Sequence, residues 1–148
     1  MTPQIGKPAP LFEAQNQDGE TIKLSDFLGK KVVLYFYPKD STPKCTDQAC
    51  NLRDNYDALL AKGMVVIGVS ADSAKSHKKF IKKYELPFDL LVDEEHELCE
   101  KYGVWVEKSM YGKKFMGVFR TTFVIDEKGI ITEIIDKIDA NDHANQIM

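Results

Sequence analysis

The sequence lacks any long hydrophobic run. Its longest, Val32–Tyr37 and Met64–Val69, fall far short of the roughly 20 apolar residues of a membrane-spanning helix, so no membrane segment is expected. No Asn-X-Ser/Thr acceptor occurs, and the opening MTPQIGKPAP has neither the basic nor the apolar region of a secretory signal. The expected location is the cytoplasm. Positive charge is not in excess either: the formal net charge is -3 and the lysines are scattered, which argues against nucleic acid as a partner. The densest basic group, Lys78, Lys79, Lys82 and Lys83, reads as the solvated face of a helix. Cysteine is sparse, and three is an odd number, which suits a structural disulfide framework poorly. In a reducing compartment such thiols are more often catalytic, redox-sensing or metal-binding.

What is present is the composition of an ordinary soluble domain. The 148 residues are 43% apolar and 29% charged, enough for one core and one domain over residues 1–148. Val32–Tyr37 and Met64–Ser70 are near-continuous apolar runs rich in β-branched residues, as expected of central strands buried on both faces. Phe88–Val92, Thr121–Ile125 and Ile130–Ile135 predict further strands, the last two joined by a hairpin turn at Asp126–Gly129. The first thirty residues predict a small hairpin turning at Asp18-Gly19. Between the strands, Ala49, Leu52, Tyr56, Leu59 and Leu60 form one stripe at helical spacing that ends near Gly63. A second helix starts at the capping residue Ser73, buries Phe80, Ile81 and Tyr84 and stops before Pro87. A third has Glu94 and Glu95 in its first turn and Gly103 past its end; a short fourth begins at His143. The expected fold is α/β: a thioredoxin-like mixed sheet flanked by helices, with an N-terminal hairpin extension.

Chemistry concentrates in Tyr37-Pro38-Lys39-Asp40-Ser41-Thr42-Pro43-Lys44-Cys45-Thr46-Asp47-Gln48-Ala49-Cys50. This stretch runs from a buried strand into an amphipathic helix, so Cys45 falls in the first helical turn at the C-terminal edge of the sheet, where active sites of α/β proteins gather. Unpaired backbone N–H groups and the helix dipole favour a thiolate there. Thr42, three residues earlier, can turn its hydroxyl toward the sulfur or a bound oxygen, or serve only as a helix cap. Pro38 and Pro43 fix the intervening loop. Of twenty basic residues only Arg53 and Arg120 are arginine, a choice that makes chemical sense where a planar, permanently charged fork is needed. Arg120 precedes the strand Thr121–Ile125 and can reach across the sheet end toward Cys45. Arg53, eight residues along the helix and roughly 12 Å away at 1.5 Å per residue, reads as structural.

The pattern Pro38-x-x-x-Thr42-x-x-Cys45, then Cys50 and, far downstream, Arg120-Thr121-Thr122-Phe123, resembles the peroxiredoxins. Phe36-Tyr37-Pro38-Lys39, Cys50 on the same helix and Gly103-Val104-Trp105 point to the bacterioferritin-comigratory (peroxiredoxin Q) branch. The resemblance runs from about Lys7 to His143. It implies a thioredoxin fold, a peroxidatic Cys45, a resolving Cys50, and Pro38, Thr42 and Arg120 as active-site partners. It further implies a peroxide substrate, thioredoxin or a similar dithiol as reductant, no metal or organic cofactor, and a monomer or at most a weak dimer. Two departures stand out. Lys44 occupies a position where the family usually has glycine, and the C-terminal helix is short.

Other chemistries are weaker on the residues. Cys45 and Cys50 with His77, His96 and His143 could furnish metal ligands, but their spacing matches no zinc pattern. A thioredoxin-type oxidoreductase needs the C-x-x-C pair that is missing. A non-enzymatic thiol sensor shares every residue with the peroxidase. Cys99, between Leu98 and Tyr102, reads as a buried, inert thiol, with a second resolving role as the alternative.

Residues five apart in an ideal helix have Cα atoms roughly 8.7 Å distant and side chains about 140° apart, whereas a disulfide needs less than about 7 Å. If Cys45 and Cys50 are both helical when reduced, bonding requires the helix to unwind. After oxidation the first turn or two should rank among the least protected helical segments in hydrogen exchange. Equal protection of residues 45–52 in the reduced and oxidised protein would contradict this.

Overall fold

The structure, a computed structural model, describes residues 3–148; Met1 and Thr2, which open the N-terminal segment read above, lie outside the described residues. Among the described residues nine strands and five α-helices follow one another as β1 (Glu13–Gln15), β2 (Thr21–Lys23), β3 (Lys31–Phe36), α1 (Pro43–Asp54), α2 (Tyr56–Ala61), β4 (Met64–Ser70), α3 (Ala74–Tyr84), β5 (Asp89–Val92), α4 (Glu97–Lys101), β6 (Trp105–Met110), β7 (Lys113–Val118), β8 (Thr121–Ile125), β9 (Ile131–Ile135) and α5 (His143–Ile147). A seven-stranded mixed sheet has the order β2-β1-β5-β4-β3-β8-β9, and β6 and β7 form a separate hairpin. This is the α/β plan that the alternation of apolar runs and helical patterns predicts, with the N-terminal hairpin added at one sheet edge.

The central strands are apolar throughout because both of their faces are covered. Val32, Leu34 and Phe36 point to one side, against Phe12, Leu24, Leu98, Tyr102 and Phe123. Val33, Tyr35 and Tyr37 point to the other, against Ala49, Leu52, Leu59, Phe80 and Ile147. Gly68 in β4 is required by packing: a Cβ there would lie 2.6 Å from Leu90 and 2.9 Å from the Tyr35 ring. Between β8 and β9 the chain reverses through Gly129 at φ 82, the left-handed geometry the hairpin turn needs.

Two expectations are corrected, and one further element had no counterpart among them. The stripe from Ala49 to Leu60 does not belong to one helix: the chain breaks at Asn55 (φ -109, ψ 11), whose side-chain amide donates to the Asn51 carbonyl at 2.8 Å. Leu60 accordingly lies exposed after the break. Glu94 and Glu95 precede rather than open α4, which starts at Glu97 after a left-handed His96. Its first turn is held instead by the Asp93 carboxylate, which accepts from the Leu98 and Cys99 N–H groups at 3.0 and 2.9 Å. The β6–β7 hairpin was not expected at all. Its strands are largely exposed and lysine-rich, so they carry little of the apolar signal that marks a buried strand. Other boundaries hold: Ser73 caps α3 by accepting from the Ser76 N–H at 3.2 Å, and Lys78, Lys79, Lys82 and Lys83 lie on its exposed face.

Truncation separates the two halves of the stripe. Leu52→Ala should destabilise the protein by about 2–5 kcal/mol, and Leu60→Ala by less than about 0.5 kcal/mol, in urea denaturation; similar losses at both positions would contradict the break at Asn55.

Candidate active site

Sheet topology decides which residues meet. β3 and β8 are antiparallel, with Phe36 paired to Thr121. The exit of β3, which leads into the cysteine-bearing loop, therefore lies beside the entry of β8, just after Arg120. Seventy-five residues apart in sequence, Arg120 Nη2 donates to Cys45 Sγ at 3.1 Å. The other terminal nitrogen, Nη1, donates to Gln48 Oε1 at 2.6 Å. Gln48 sits three residues beyond Cys45, one helical turn away on the same face, so α1 carries both the sulfur and the group that orients the guanidinium.

Cys45 lies in the first turn of α1 and is only 2% exposed. Thr42 is the N-cap residue and Pro43 opens the helix, a position where its missing N–H costs nothing. Among the described residues the Thr42 side chain makes no capping bond. Its hydroxyl donates instead to the Lys39 carbonyl at 2.9 Å, which commits the hydroxyl proton and leaves the oxygen as an acceptor. The expectation that Thr42 turns to the sulfur is thus replaced by this backbone contact, and the side chain is not a cap either. Pro38 follows Tyr37, whose N–H still bonds the Val69 carbonyl at 3.1 Å; the loop leaves the sheet there.

Cys50, half-buried on the same helix, is a free thiol, as are Cys45 and Cys99. Both residues of the pair are helical, the condition under which the spacing argument demands unwinding. Burial pushes the Cys50 thiol above its ordinary value, with Asp54 and Asp47 adding to this and Arg53 opposing it. Arg53 itself donates to the Tyr84 carbonyl at 2.7 Å and pairs with Asp54 at 2.9 Å, tying α1 to the end of α3. That is the structural part expected of it. Cys99 is fully buried, and burial together with Asp93 pushes its thiol far up, which suits an inert packing residue.

A cleft of about 280 Å³ is lined by Lys44, Lys108, Phe119, Arg120, Asp136 and Ile138, and it shares Arg120 with the contact to Cys45. Lys108 comes from the hairpin β6–β7. Partial burial and the Arg120 charge lower its pKa, while Cys45 raises it. The three histidines are dispersed. His77 bonds Asp40 and the Leu91 carbonyl, His96 stacks on Trp105 with ring centroids 3.7 Å apart, and His143 lies between Thr122 and Gln146 at 2.8 Å each. They do not converge with Cys45 and Cys50 on one metal-binding point.

Sequence reasoning missed Gln48 and Lys108. Gln48 was within reach, since a polar residue one turn after a functional cysteine shares its helical face. Lys108 had no local signal, because its hairpin was not recognised.

Buried sulfur, fork-shaped cation and helix N-terminus on a thioredoxin-type sheet define a thiol-based peroxidase, and the comparisons agree. Residues 5–134 match the AhpC/TSA family, and the chain belongs to that family, in its Bcp/peroxiredoxin Q branch. It is 47% identical over its whole length to "Peroxiredoxin Bcp" of Bacillus subtilis, covering 94% of that protein. With the protein of the same name from Escherichia coli K12 it shares 45% identity over 98% of this chain and 93% of the other. Among solved structures, a peroxiredoxin Q mutant from Xylella fastidiosa superposes with TM-score 0.92 at 30% identity, covering 99% of this chain and 94% of that one. The Xanthomonas campestris bacterioferritin comigratory protein, whose structures were described for its alkyl peroxide reduction activity, gives TM-score 0.86 at 33% identity, covering 92% and 87%.

Close to the site, His143 supplies a pH-dependent element. Gln146 Oε1 also accepts from the Asp139 N–H, so His143 Nδ1 is the donor to it and Nε2 accepts from Thr122. Burial lowers the His143 pKa, Gln146 and Asp139 partly oppose this, and Arg120 reinforces it. A folded-state value below the unfolded one, about 6.5, means that the associated stability is complete above that pH and is lost as pH falls below it. Wild type should therefore lose more stability than His143→Asn between pH 7.5 and 5; equal losses would contradict this assignment.

Proposed function

We propose that Cys45 is the peroxidatic nucleophile and Cys50 the resolving thiol of a single-domain enzyme that reduces hydrogen peroxide and organic hydroperoxides. The observation that carries this reading is the Arg120 guanidinium, 3.1 Å from Cys45 Sγ and fixed by Gln48. A buried thiolate is costly unless paired and hydrogen-bonded, and here the positive fork and the helix N-terminus compensate it.

In the first step the Cys45 thiolate attacks one oxygen of the peroxide. The S–O bond forms, the O–O bond breaks, and the leaving oxygen departs as alkoxide or hydroxide and is protonated to alcohol or water. Arg120 is placed to stabilise the charge developing on the oxygens. Thr42, its own proton given to Lys39, would accept a hydrogen bond from the hydroperoxide O–H. Pro38 and Pro43 hold the loop that shields the sulfur. In the second step α1 unwinds, the Cys50 thiolate attacks the sulfenic sulfur, and water leaves as the disulfide forms. Burial pushes the Cys50 thiol up while α1 is wound; unwinding exposes it, so its activation follows the first step. In the third, a thioredoxin-type dithiol takes up the disulfide by exchange and restores both thiols.

The cycle calls on no metal or organic cofactor. Free thiols and a net charge of -3 fit a cytoplasmic enzyme that binds neither nucleic acid nor membrane. Among the described residues no helix is long and apolar enough to cross a bilayer. We place the protein as a monomer, at most a weak dimer.

Peroxide consumption coupled to a thioredoxin system tests the assignment. Cys45→Ser should abolish turnover, and Cys50→Ser should consume one equivalent and stop at a sulfenic acid trapped by dimedone. Arg120→Ala should lower kcat/KM by about 10²–10³-fold. Wild type that stops near one equivalent despite reductant would instead identify a sensor, and an active Cys45→Ser protein would refute the role of that cysteine.

A further inference from the structure

The loop before Cys45 contains a carboxylate that ought to be in water. Asp40 lies between a strand and a helix, yet it is 5% exposed, and an unpaired buried charge is strongly unfavourable. Its side chain is fully engaged. Tyr37 donates its hydroxyl to Oδ1. Ser76 donates to Oδ2 at 2.8 Å, and His77 Nδ1 contacts the same oxygen at 2.7 Å. The opposite ring nitrogen of His77 bonds the Leu91 carbonyl at 2.8 Å; a carbonyl only accepts, so Nε2 carries a hydrogen. The contact between His77 Nδ1 and Asp40 completes the set of partners around the carboxylate. The Asp40 backbone N–H is held too, by Asp72 Oδ2 at 2.8 Å, which also accepts from Ser70 at 2.6 Å.

These partners sit just past β3 (Tyr37), at and after the end of β4 (Ser70, Asp72), on α3 (Ser76, His77) and on β5 (Leu91), and none is on α1. Immediately after Asp40 the chain is strained: Ser41 has φ 62, a left-handed conformation that a residue other than glycine keeps only where its surroundings enforce it. Thr42 and Pro43 then open α1. The anchored point and the sulfur are five residues apart.

We propose that the buried Asp40–His77 pair is the positioning device of the active site. It clamps the loop to the rigid part of the sheet, holds Ser41 in its strained turn, and thereby presents α1 in the wound form in which Cys45 faces Arg120. Neither residue touches the sulfur. The pair divides the chain into a part that stays fixed through the cycle, up to Asp40, and a part from Ser41 onward that unwinds for disulfide formation. The proposal rests on the peroxidatic role of Cys45. It assigns opposite consequences to the two chemical steps: loosening the clamp slows attack on peroxide, which needs the wound form, but not closure of the disulfide, which needs the unwound one.

Single-turnover kinetics with hydrogen peroxide, quenched and analysed by mass spectrometry, resolve sulfenic acid from disulfide. In Asp40→Asn and His77→Leu the rate constant for Cys45 oxidation should fall by about ten- to a hundredfold, while the disulfide-forming rate constant is unchanged or larger. Tyr37→Phe, which keeps the ring and removes one donor, should slow oxidation about threefold and decides the matter if the other two fail to fold. Oxidation at the wild-type rate in folded variants would overturn the proposal. So would an equal slowing of both steps, which marks general destabilisation. Wild type whose Cys45 is not oxidised stoichiometrically would refute the underlying assignment of Cys45 instead, and so is distinguishable.

Discussion

The rest of the site depends on one contact, a guanidinium against a sulfur that water scarcely reaches. Burial pushes the Cys99 and Cys50 thiols up. What distinguishes Cys45 is a permanent charge 3.1 Å away, delivered by the antiparallel register of β3 and β8. No loop search is needed to bring the two together. Once Phe36 and Thr121 are paired, the residue before β8 must lie beside the segment after β3. Gln48 then fixes the rotation of the fork, so three side chains share one geometry built on two rigid elements.

In the proposed cycle the same helix must satisfy two opposed demands. Attack on peroxide requires α1 to be wound, with Cys45 and Gln48 one turn apart on the Arg120 face. Disulfide formation requires it unwound, because ideal helical spacing keeps sulfurs five residues apart beyond bonding distance. The anchors flank the two cysteines: Asp40, before the helix, is bonded to Asp72 and to α3, and Arg53 ties the far end of α1 to Tyr84. The stretch between them, which carries both cysteines, is the segment left to change.

Much of this was legible in the sequence because the informative residues sit where local rules are strong. Strands buried on both faces print as unbroken apolar runs, and a cysteine just past such a strand is at a helix start almost by necessity. Arg120 stood out because the surface is otherwise furnished with lysine. The parts that were not legible depend on tertiary pairing. Nothing local says that Asp40 is buried rather than solvated, since its partners Ser76 and His77 lie more than thirty-five residues away. The β6–β7 hairpin is exposed along most of its length and gives no hydrophobic period to read. The break at Asn55 was masked by an apolar stripe that continues at the right spacing across it.

Lys44 gains a physical account from the way α1 begins. A helix start is normally secured by a side-chain cap and by acidic residues in its first turn. Among the described residues the first turn of α1 has neither a side-chain cap bond nor an acid. A lysine at this end works against the helix dipole, so it weakens the turn. The cation that disfavours the helix also lines a cleft with Lys108 and Arg120, where it favours negative charge. Leaving the N–H groups uncapped does the same, since they remain available to the anion. In the proposed cycle poor capping, usually a defect, thus serves both steps: it keeps the amide dipoles for a thiolate at Cys45 and lowers the cost of the proposed unwinding.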